Sequence, residues 1–222
     1  TSLVTEYYRA DSVETIQWPM SKESWAYPYA DDGTEMATNI DYTMWTTRAK
    51  AVEKVKYYMG QAGVSAGDSQ LSITFTVAGS SISEHPTFSV FKQAQEILNE
   101  AGWNVEIKAG SQALTKLATG SLAVWAAEYD CGIDPDMFER YHKDSTATST
   151  LAWGYREIKN NASLYPTEND IIKDLSDIID EARSIDDQAR RKSMYKDAMT
   201  LVLQLAVEMP VYQRDNLYAY NG

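Results

Sequence analysis

Cysteine, histidine and long apolar segments are scarce in this sequence. One cysteine, Cys131, and two histidines occur among 222 residues, which excludes an internal disulfide and disfavours a metal site built from these side chains. No segment approaches the roughly 18 consecutive apolar residues of a membrane helix. Neither a glycine-rich phosphate loop nor a Gly-x-Ser-x-Gly nucleophile elbow is present. We therefore expect no cofactor and no resident metal ion.

Positive charge and phenylalanine are also in short supply. The 20 Lys and Arg residues face 32 Asp and Glu residues, which gives a net charge of −12. A surface this acidic repels phosphate backbones and anionic lipid, so nucleic acid is not an expected partner. Only 4 phenylalanines occur, against 15 tyrosines and 6 tryptophans. Tyrosine and tryptophan suit a wide, wet binding surface, although a solvated surface rich in tyrosine has the same composition.

The sequence opens without the basic and apolar regions of a signal peptide. We therefore expect either a cytoplasmic protein or a mature or truncated piece of an exported one.

The length of the chain allows one large domain or two small ones, with a sizeable hydrophobic core.

Helical and strand patterns alternate after an irregular start. Residues 1–46 lack periodicity but carry many aromatic side chains. The patterns predict helices over residues 47–62, from residue 86 to 101 and, briefly, from residue 111. Strands are predicted over residues 71–77 and 103–107 and from residue 122. This order indicates an α/β fold with a mostly parallel sheet and helices on its faces.

The last predicted strand leads directly into acidic and aromatic residues. Residues 122–127 are all apolar, and we predict a buried strand there that leads directly to Glu128. Because open α/β sheets bind ligands at the carboxyl ends of their strands, Glu128, Tyr129 and Asp130 become candidate ligand contacts. Strand alternation would place Trp125 and Tyr129 on one face beside this end. The alternative interpretation is that Trp125 belongs to the hydrophobic core.

The turn Asp134-Pro135-Asp136 that follows has three interpretations. It can cap a helix that begins near Met137, hold a ligand ammonium, or belong to a Ca²⁺ loop or a glycosidase pair. The spacing lacks the Ca²⁺-loop frame. Two amphipathic helices are predicted further on, with a solvated face at residues 190–192 on the second. Trp153, which follows a polar loop, is a further candidate for the cleft.

The order of several segments resembles a known family. It runs from His85-Pro86 and the helix over residues 91–102 to residues 133–138, then to residues 190–196 and 208–213. Over about residues 45–220, this order and spacing resemble the second lobe of the oligopeptide- and dipeptide-binding proteins of ABC importers, solute-binding protein family 5.

The resemblance implies a periplasmic-binding-protein-like lobe, with a mostly parallel sheet flanked by helices and an extended irregular N-terminal segment. It implies a wrapping segment over residues 1–46, the second lobe over 47–210, and an exit strand over 211–222 directed toward a first lobe that this chain does not contain. It also implies location outside the cytoplasm, as a surface lipoprotein or in the periplasm. The implied partners are a peptide or other small solute, the protein's own first lobe, and the ABC permease subunits.

The same resemblance implies a non-enzymatic ligand site. The expected ligand-binding residues are Trp125, Ala126, Ala127, Glu128, Tyr129, Asp130 and Trp153. We expect Tyr129 and Trp153 to pack on the ligand, backbone groups of residues 126–128 to hydrogen-bond it, and Asp130 or Glu128 to neutralise its cation. Two alternatives stay open. One is a family member that binds oligosaccharides or metal chelates, and the other is an acidic hydrolase that uses Glu128 and Asp134.

Overall fold

The computed structural model of the chain describes residue 8 and residues 12–40, 46–79, 81–129 and 134–215. The chain forms two compact units, which we call the sheet unit (residues 41–128) and the helical unit (residues 1–40 and 129–222). In chain order, the strands and helices are β1 Val13–Thr15, α1 Arg48–Gln61, β2 Ser72–Ala78, α2 Phe88–Ala101, β3 Asn104–Gly110, α3 Ala113–Ala118, β4 Val124–Trp125, α4 Phe138–Tyr141, α5 Thr148–Ala152, α6 Tyr155–Asn160, α7 Pro166–Ser184, α8 Gln188–Leu205 and β5 Tyr212–Arg214.

The sheet unit is built on three parallel strands in the order β3-β2-β4. The β2–β3 pair runs in register from Ser72 opposite Asn104 to Ala78 opposite Gly110. Helix α2 buries Phe91 against Phe75 of β2, with ring centroids 5.1 Å apart. The structure thus confirms the predicted α/β fold with a parallel sheet and flanking helices.

Two predicted helix ends have the expected chemistry. The Thr47 side chain accepts a hydrogen bond from the Lys50 amide and caps α1, as Ncap threonines do. Helix α2 ends at Gly102, whose φ of +109° is in the left-handed region that glycine adopts without steric cost.

The strand predicted over residues 122–127 is much shorter than expected. Only Val124 and Trp125 pair with β2, opposite Phe75 and Thr76. Both are half-buried, and Ala126 and Ala127 are exposed. The prediction of a buried strand was wrong because β4 has a neighbour on one side only within the described sheet.

The helical unit has its core between α7 and α8. Leu175 and Ile179 of α7 pack with Tyr195 and Met199 of α8, and all four are fully buried. The irregular segment over residues 12–40 covers this helix pair and inserts Trp18, whose indole N–H donates to the Met36 carbonyl at 2.9 Å. Aromatic side chains therefore order a segment that has almost no regular hydrogen bonding of its own.

A short antiparallel ribbon joins the two ends of the helical unit. Strand β1 pairs with β5, with Val13 opposite Arg214. The Gln213 side chain accepts hydrogen bonds from the Ser21 hydroxyl at 3.0 Å and the Lys22 amide at 2.9 Å. The predicted lobe boundaries at residues 46 and 210 and the exit toward a first lobe remain predictions.

One predicted solvated face is partly buried. Arg190 is exposed, but the Arg191 guanidinium lies 5.3 Å from the centre of the Trp25 ring and 5.6 Å from that of Tyr195. A guanidinium stacks on aromatic rings while its charge stays near water. The basic residues 190–192 therefore include one side chain, that of Arg191, that packs against aromatic rings. Among the described helices, none combines the length and apolarity required to cross a bilayer.

Candidate functional site

The carboxyl ends of the three parallel strands form one edge of the sheet unit. Strands β2, β3 and β4 end there at Ala78, Gly110 and Trp125. Exposed Gln112, just past β3, has a φ of +58°, which is in the left-handed region. Such a conformation costs about 1–3 kcal/mol for a residue other than glycine and is often found at ligand sites. This edge is where ligands bind in open α/β sheets.

Residues 125–128 of the predicted site lie at this edge. Val124 packs against the core of the sheet unit, and alternation along a strand therefore directs Trp125 to the opposite face. Ala126, Ala127 and Glu128 continue without helix or strand and are exposed. Beyond Trp125, the described residues show no ladder pairing of this segment. Residues 126–128 are thus accessible and lie outside the paired strand.

Leu114 adds an exposed apolar group after β3. Leu114 is the second residue of α3 and is 80% exposed. Sequence analysis assigned it only to a short helix. Its position after a strand of the parallel sheet was the signal that could have identified it.

Tyr129 and Trp153 belong to an aromatic cluster around Arg140 in the helical unit. The Arg140 guanidinium lies 3.9 Å from the centre of the Tyr129 ring and 5.1 Å from that of Tyr141. Tyr141 stacks on Trp153, with centroids 5.5 Å apart and planes 13° apart. The structure therefore brings two of the predicted ligand residues into one cluster.

Glu208 holds this cluster together electrostatically. Arg140 Nη2 donates to both Glu208 oxygens, at 3.2 and 3.1 Å, and the Tyr141 hydroxyl donates to Oε2 at 3.0 Å. Arg140 and Glu208 have side-chain exposures of only 23% and 17%. Charge-assisted hydrogen bonds of this kind are stronger than neutral ones.

The environment keeps the tyrosines of the cluster protonated. Burial raises the pKa of Tyr129, and the negative charge of Glu208 raises it further. Burial and the Glu208 carboxylate likewise raise the pKa of Tyr141 well above its ordinary value. Both hydroxyls are therefore neutral hydrogen-bonding groups at physiological pH.

Tyr155 contributes a buried hydroxyl to the same region. Its ring centroid lies 6.1 Å from that of Trp153, and the residue is 3% exposed. Among the described residues, nothing hydrogen-bonds its hydroxyl. Burial first, and then the charge of Glu208, raises its pKa.

The acidic turn has a structural role in the described chain. Asp134 accepts a hydrogen bond from the Asp136 amide at 3.1 Å, and Asp136 accepts one from the Phe138 amide at 3.0 Å. Arg191 and Arg183 pair with these two carboxylates at 3.5 and 3.2 Å. The turn is therefore structural, but neither Asp134 nor Asp136 caps α4, because its N-cap residue is Met137 and no side chain makes a capping hydrogen bond there.

Sequence analysis missed Arg140 and Glu208. Glu208 is a charged residue between the apolar Val207 and Met209, and that contrast was its available signal, whereas Arg140 lies between Glu139 and Tyr141 and has no such local signal. Asp130 and Cys131 lie outside the described residues. No group of three or more His, Cys, Asp or Glu side chains within the described ranges is placed to hold a metal ion.

Comparison by sequence finds no match, either to a family model or to a curated protein. Comparison by structure finds several matches. The oligopeptide-binding protein AppA of Bacillus subtilis, in complex with a nonapeptide, is one match. The alignment covers 100% of this chain and 42% of the AppA chain, at 15% identity and a TM-score of 0.65. The ABC transporter-associated periplasmic binding protein DppA of Helicobacter pylori, in complex with the peptide STSA, matches 95% of the chain with 38% of its own, at 19% identity and a TM-score of 0.55.

A third match carries a different ligand. NikA of Staphylococcus aureus, in complex with Ni(L-His)₂, matches all of this chain with 42% of its own, at 11% identity and a TM-score of 0.58. This chain spans about two fifths of the length of each of the three proteins. The chain therefore has the fold of part of an ABC-transporter substrate-binding protein, which confirms at the level of fold the resemblance in its sequence.

Proposed function

We propose that this chain is the carboxyl-terminal lobe of an extracytoplasmic binding protein that captures peptides for an ABC importer. The observation that carries the proposal is the match of the entire chain to 42% of a nonapeptide-bound protein. The proposal includes a first lobe elsewhere in the full protein, closure of the two lobes around the ligand, and delivery to permease subunits. It includes no catalytic step.

The exposed edge at residues 126–128 supports an extended peptide as the ligand. An extended peptide gains affinity from main-chain hydrogen bonds to such an edge and specificity from neighbouring side-chain pockets. In the proposal, Trp125, Tyr129 and Trp153 pack on the peptide, and Glu128 or Asp130 pairs with its α-ammonium. The neutral phenol of Tyr129 supplies a polar group beside an apolar ring.

A metal chelate is the second candidate ligand, favoured by the likeness to the Ni(L-His)₂-bound protein. An oligosaccharide is a third, favoured by the aromatic composition. The hydrolase alternative has less support. Asp134 already accepts a backbone hydrogen bond and pairs with Arg191, which favours a structural role over an acid–base one.

An NMR titration of the 222-residue chain tests the ligand class. Tripeptides, Ni(L-His)₂ and maltotriose are added separately at millimolar concentration, because one lobe offers only part of the contacts. We expect tripeptides to shift the indole resonance that disappears in Trp125→Phe. The indole lost in Trp103→Phe is the matched control, since Trp103 packs in the sheet-unit core. A response to the chelate or the sugar alone would replace peptide as the ligand.

The ammonium contact has a separate test. Glu128→Gln combined with Asp130→Asn should weaken binding of a free tripeptide and leave binding of its N-acetylated form unchanged. Equal affinity of the wild-type chain for both tripeptides would remove the carboxylate contact from the proposal but not peptide capture itself.

A further inference from the structure

An open groove of about 510 Å³ lies between α7 and α8, within the helical unit. The two helices are joined by residues 185–187 and contact each other extensively, as an antiparallel helix pair does. The groove is lined by Asp174, Asp177 and Ile178 from α7 and by Asp197, Thr200 and Leu201 from α8. It involves none of the residues assigned to the ligand site.

The floor of the groove is apolar and accessible. Ile178 and Leu201 are half-buried and pack on the outside of the core. Leu175 and Val202, which are buried, already fill the inner side of the helix pair. The groove is therefore an outer surface of the pair, and a third helix can pack there by placing its side-chain ridges between those of α7 and α8.

The rim of the groove is acidic. Asp177 pairs with Lys173 at 2.7 Å and with Lys143 at 3.6 Å. Within the described part of the chain, neither Asp174 nor Asp197 has a cationic side chain within 4.0 Å. Both residues are exposed. Two carboxylates therefore flank the apolar floor, and no cation of the described chain pairs directly with them.

The whole helical unit adds to this negative field. Its 24 acidic and 13 basic residues give a net charge of −11, against −1 for the sheet unit with 8 acidic and 7 basic residues. A field of one sign attracts partners of the other sign and orients their approach. Almost all of the net negative charge, −11 of −12, thus lies on the unit that carries the groove.

We propose that the α7–α8 groove docks a cationic amphipathic helix of a partner protein. The apolar face of that helix lies on Ile178 and Leu201, and its flanking Lys or Arg side chains pair with Asp174 and Asp197. This is the helix-in-groove mode of recognition, with charge complementarity at the rim. The proposal is independent of the peptide-binding function and holds for any of the three candidate ligand classes.

The test uses the 222-residue chain and a 14-residue amidated helical peptide of leucine and lysine. We expect the peptide to shift the methyl resonances of Ile178 and Leu201. Asp174→Asn with Asp197→Asn should weaken binding about 3- to 10-fold, the range for two exposed ion pairs. The matched control is Glu168→Gln with Asp186→Asn, which removes the same charge from exposed positions outside the groove and should change binding less than 2-fold.

Four results would overturn the proposal. Equal weakening by both double variants would mean that only net charge matters. Equal binding of a leucine–glutamate peptide would remove the role of the rim, and equal binding of spermidine would remove the role of the floor. Sedimentation as a dimer that dissociates in Asp174→Asn/Asp197→Asn would place a second copy of the chain, rather than a cationic helix, in the groove.

Discussion

Two buried tyrosines in the helical unit should respond oppositely to the same substitution. Tyr141→Phe and Tyr155→Phe each remove one hydroxyl from a ring that is almost inaccessible, at 1% and 3% exposure. The Tyr141 hydroxyl donates to Glu208 at 3.0 Å. The Tyr155 hydroxyl has no hydrogen-bond partner among the described residues. The pair therefore compares a satisfied buried hydroxyl with an unsatisfied one.

The hydrogen bonds set the expected magnitudes. A hydrogen bond to a charged group contributes about 1.5–3 kcal/mol, and Glu208 keeps its contacts to Arg140 in the variant. We expect Tyr141→Phe to lower the free energy of unfolding by about 1.5–2 kcal/mol. Removing the unsatisfied Tyr155 hydroxyl relieves a desolvation penalty, so Tyr155→Phe should change stability by about 0 to 1 kcal/mol in the stabilising direction.

Urea unfolding followed by tryptophan fluorescence and circular dichroism measures both variants under the same conditions. For a chain of this size, the loss in Tyr141→Phe corresponds to a melting temperature about 3–8 °C lower. If Tyr155→Phe destabilises the chain as much as Tyr141→Phe, the Tyr155 hydroxyl has a partner and the described packing around it is wrong.

Three further predictions concern the core, one glycine and pH. Leu175→Ala should lower the free energy of unfolding in urea by about 2–5 kcal/mol, because Leu175 is fully buried, and a loss below about 1 kcal/mol would contradict its place in the core. Gly102→Ala should lower the melting temperature more than Gly63→Ala does, because a Cβ at Gly102 would lie 2.7 Å from the Ala66 Cα, whereas a Cβ at Gly63 meets open space. Equal melting temperatures of the two variants would contradict this prediction. Burial raises the pKa of four tyrosines of the helical unit, Tyr27, Tyr129, Tyr141 and Tyr155. The stabilisation from these protonated tyrosines is complete below the unfolded-state pKa of about 10. It is lost as pH rises toward the folded-state pKa, by up to about 1.4 kcal/mol per pH unit for each tyrosine. A free energy of unfolding in urea that stays constant from pH 9 to 10.5 would contradict this prediction.

The sequence predicted the long amphipathic elements well because their signals are local. In α7, Ile172, Leu175 and Ile179 recur at helical spacing, and all three are buried. In α2, a glycine follows the last apolar position and ends the helix. Periodicity and capping residues lie within a few positions of each other, so no tertiary information is required.

The same local reasoning failed where long-range packing decides the structure. The run at residues 122–127 is apolar enough for a buried strand, but the number of neighbouring strands sets its length and burial. Arg140 and Glu208 are 68 residues apart in sequence, yet they form the centre of the aromatic cluster. A pattern in one segment contains no information about a partner so distant, whereas the aromatic content around Tyr129 and Trp153 was visible locally.

Mass spectrometry of the protein purified from the cells that make it tests whether this chain belongs to a larger protein that captures peptides. We expect an intact mass well above the 24.9 kDa of this chain, together with bound peptides that are released on acid denaturation. Peptides of varied sequence would fit recognition through the backbone at residues 126–128. A protein of full mass that releases no small molecule, or that releases only a metal chelate or a sugar, would contradict peptide capture.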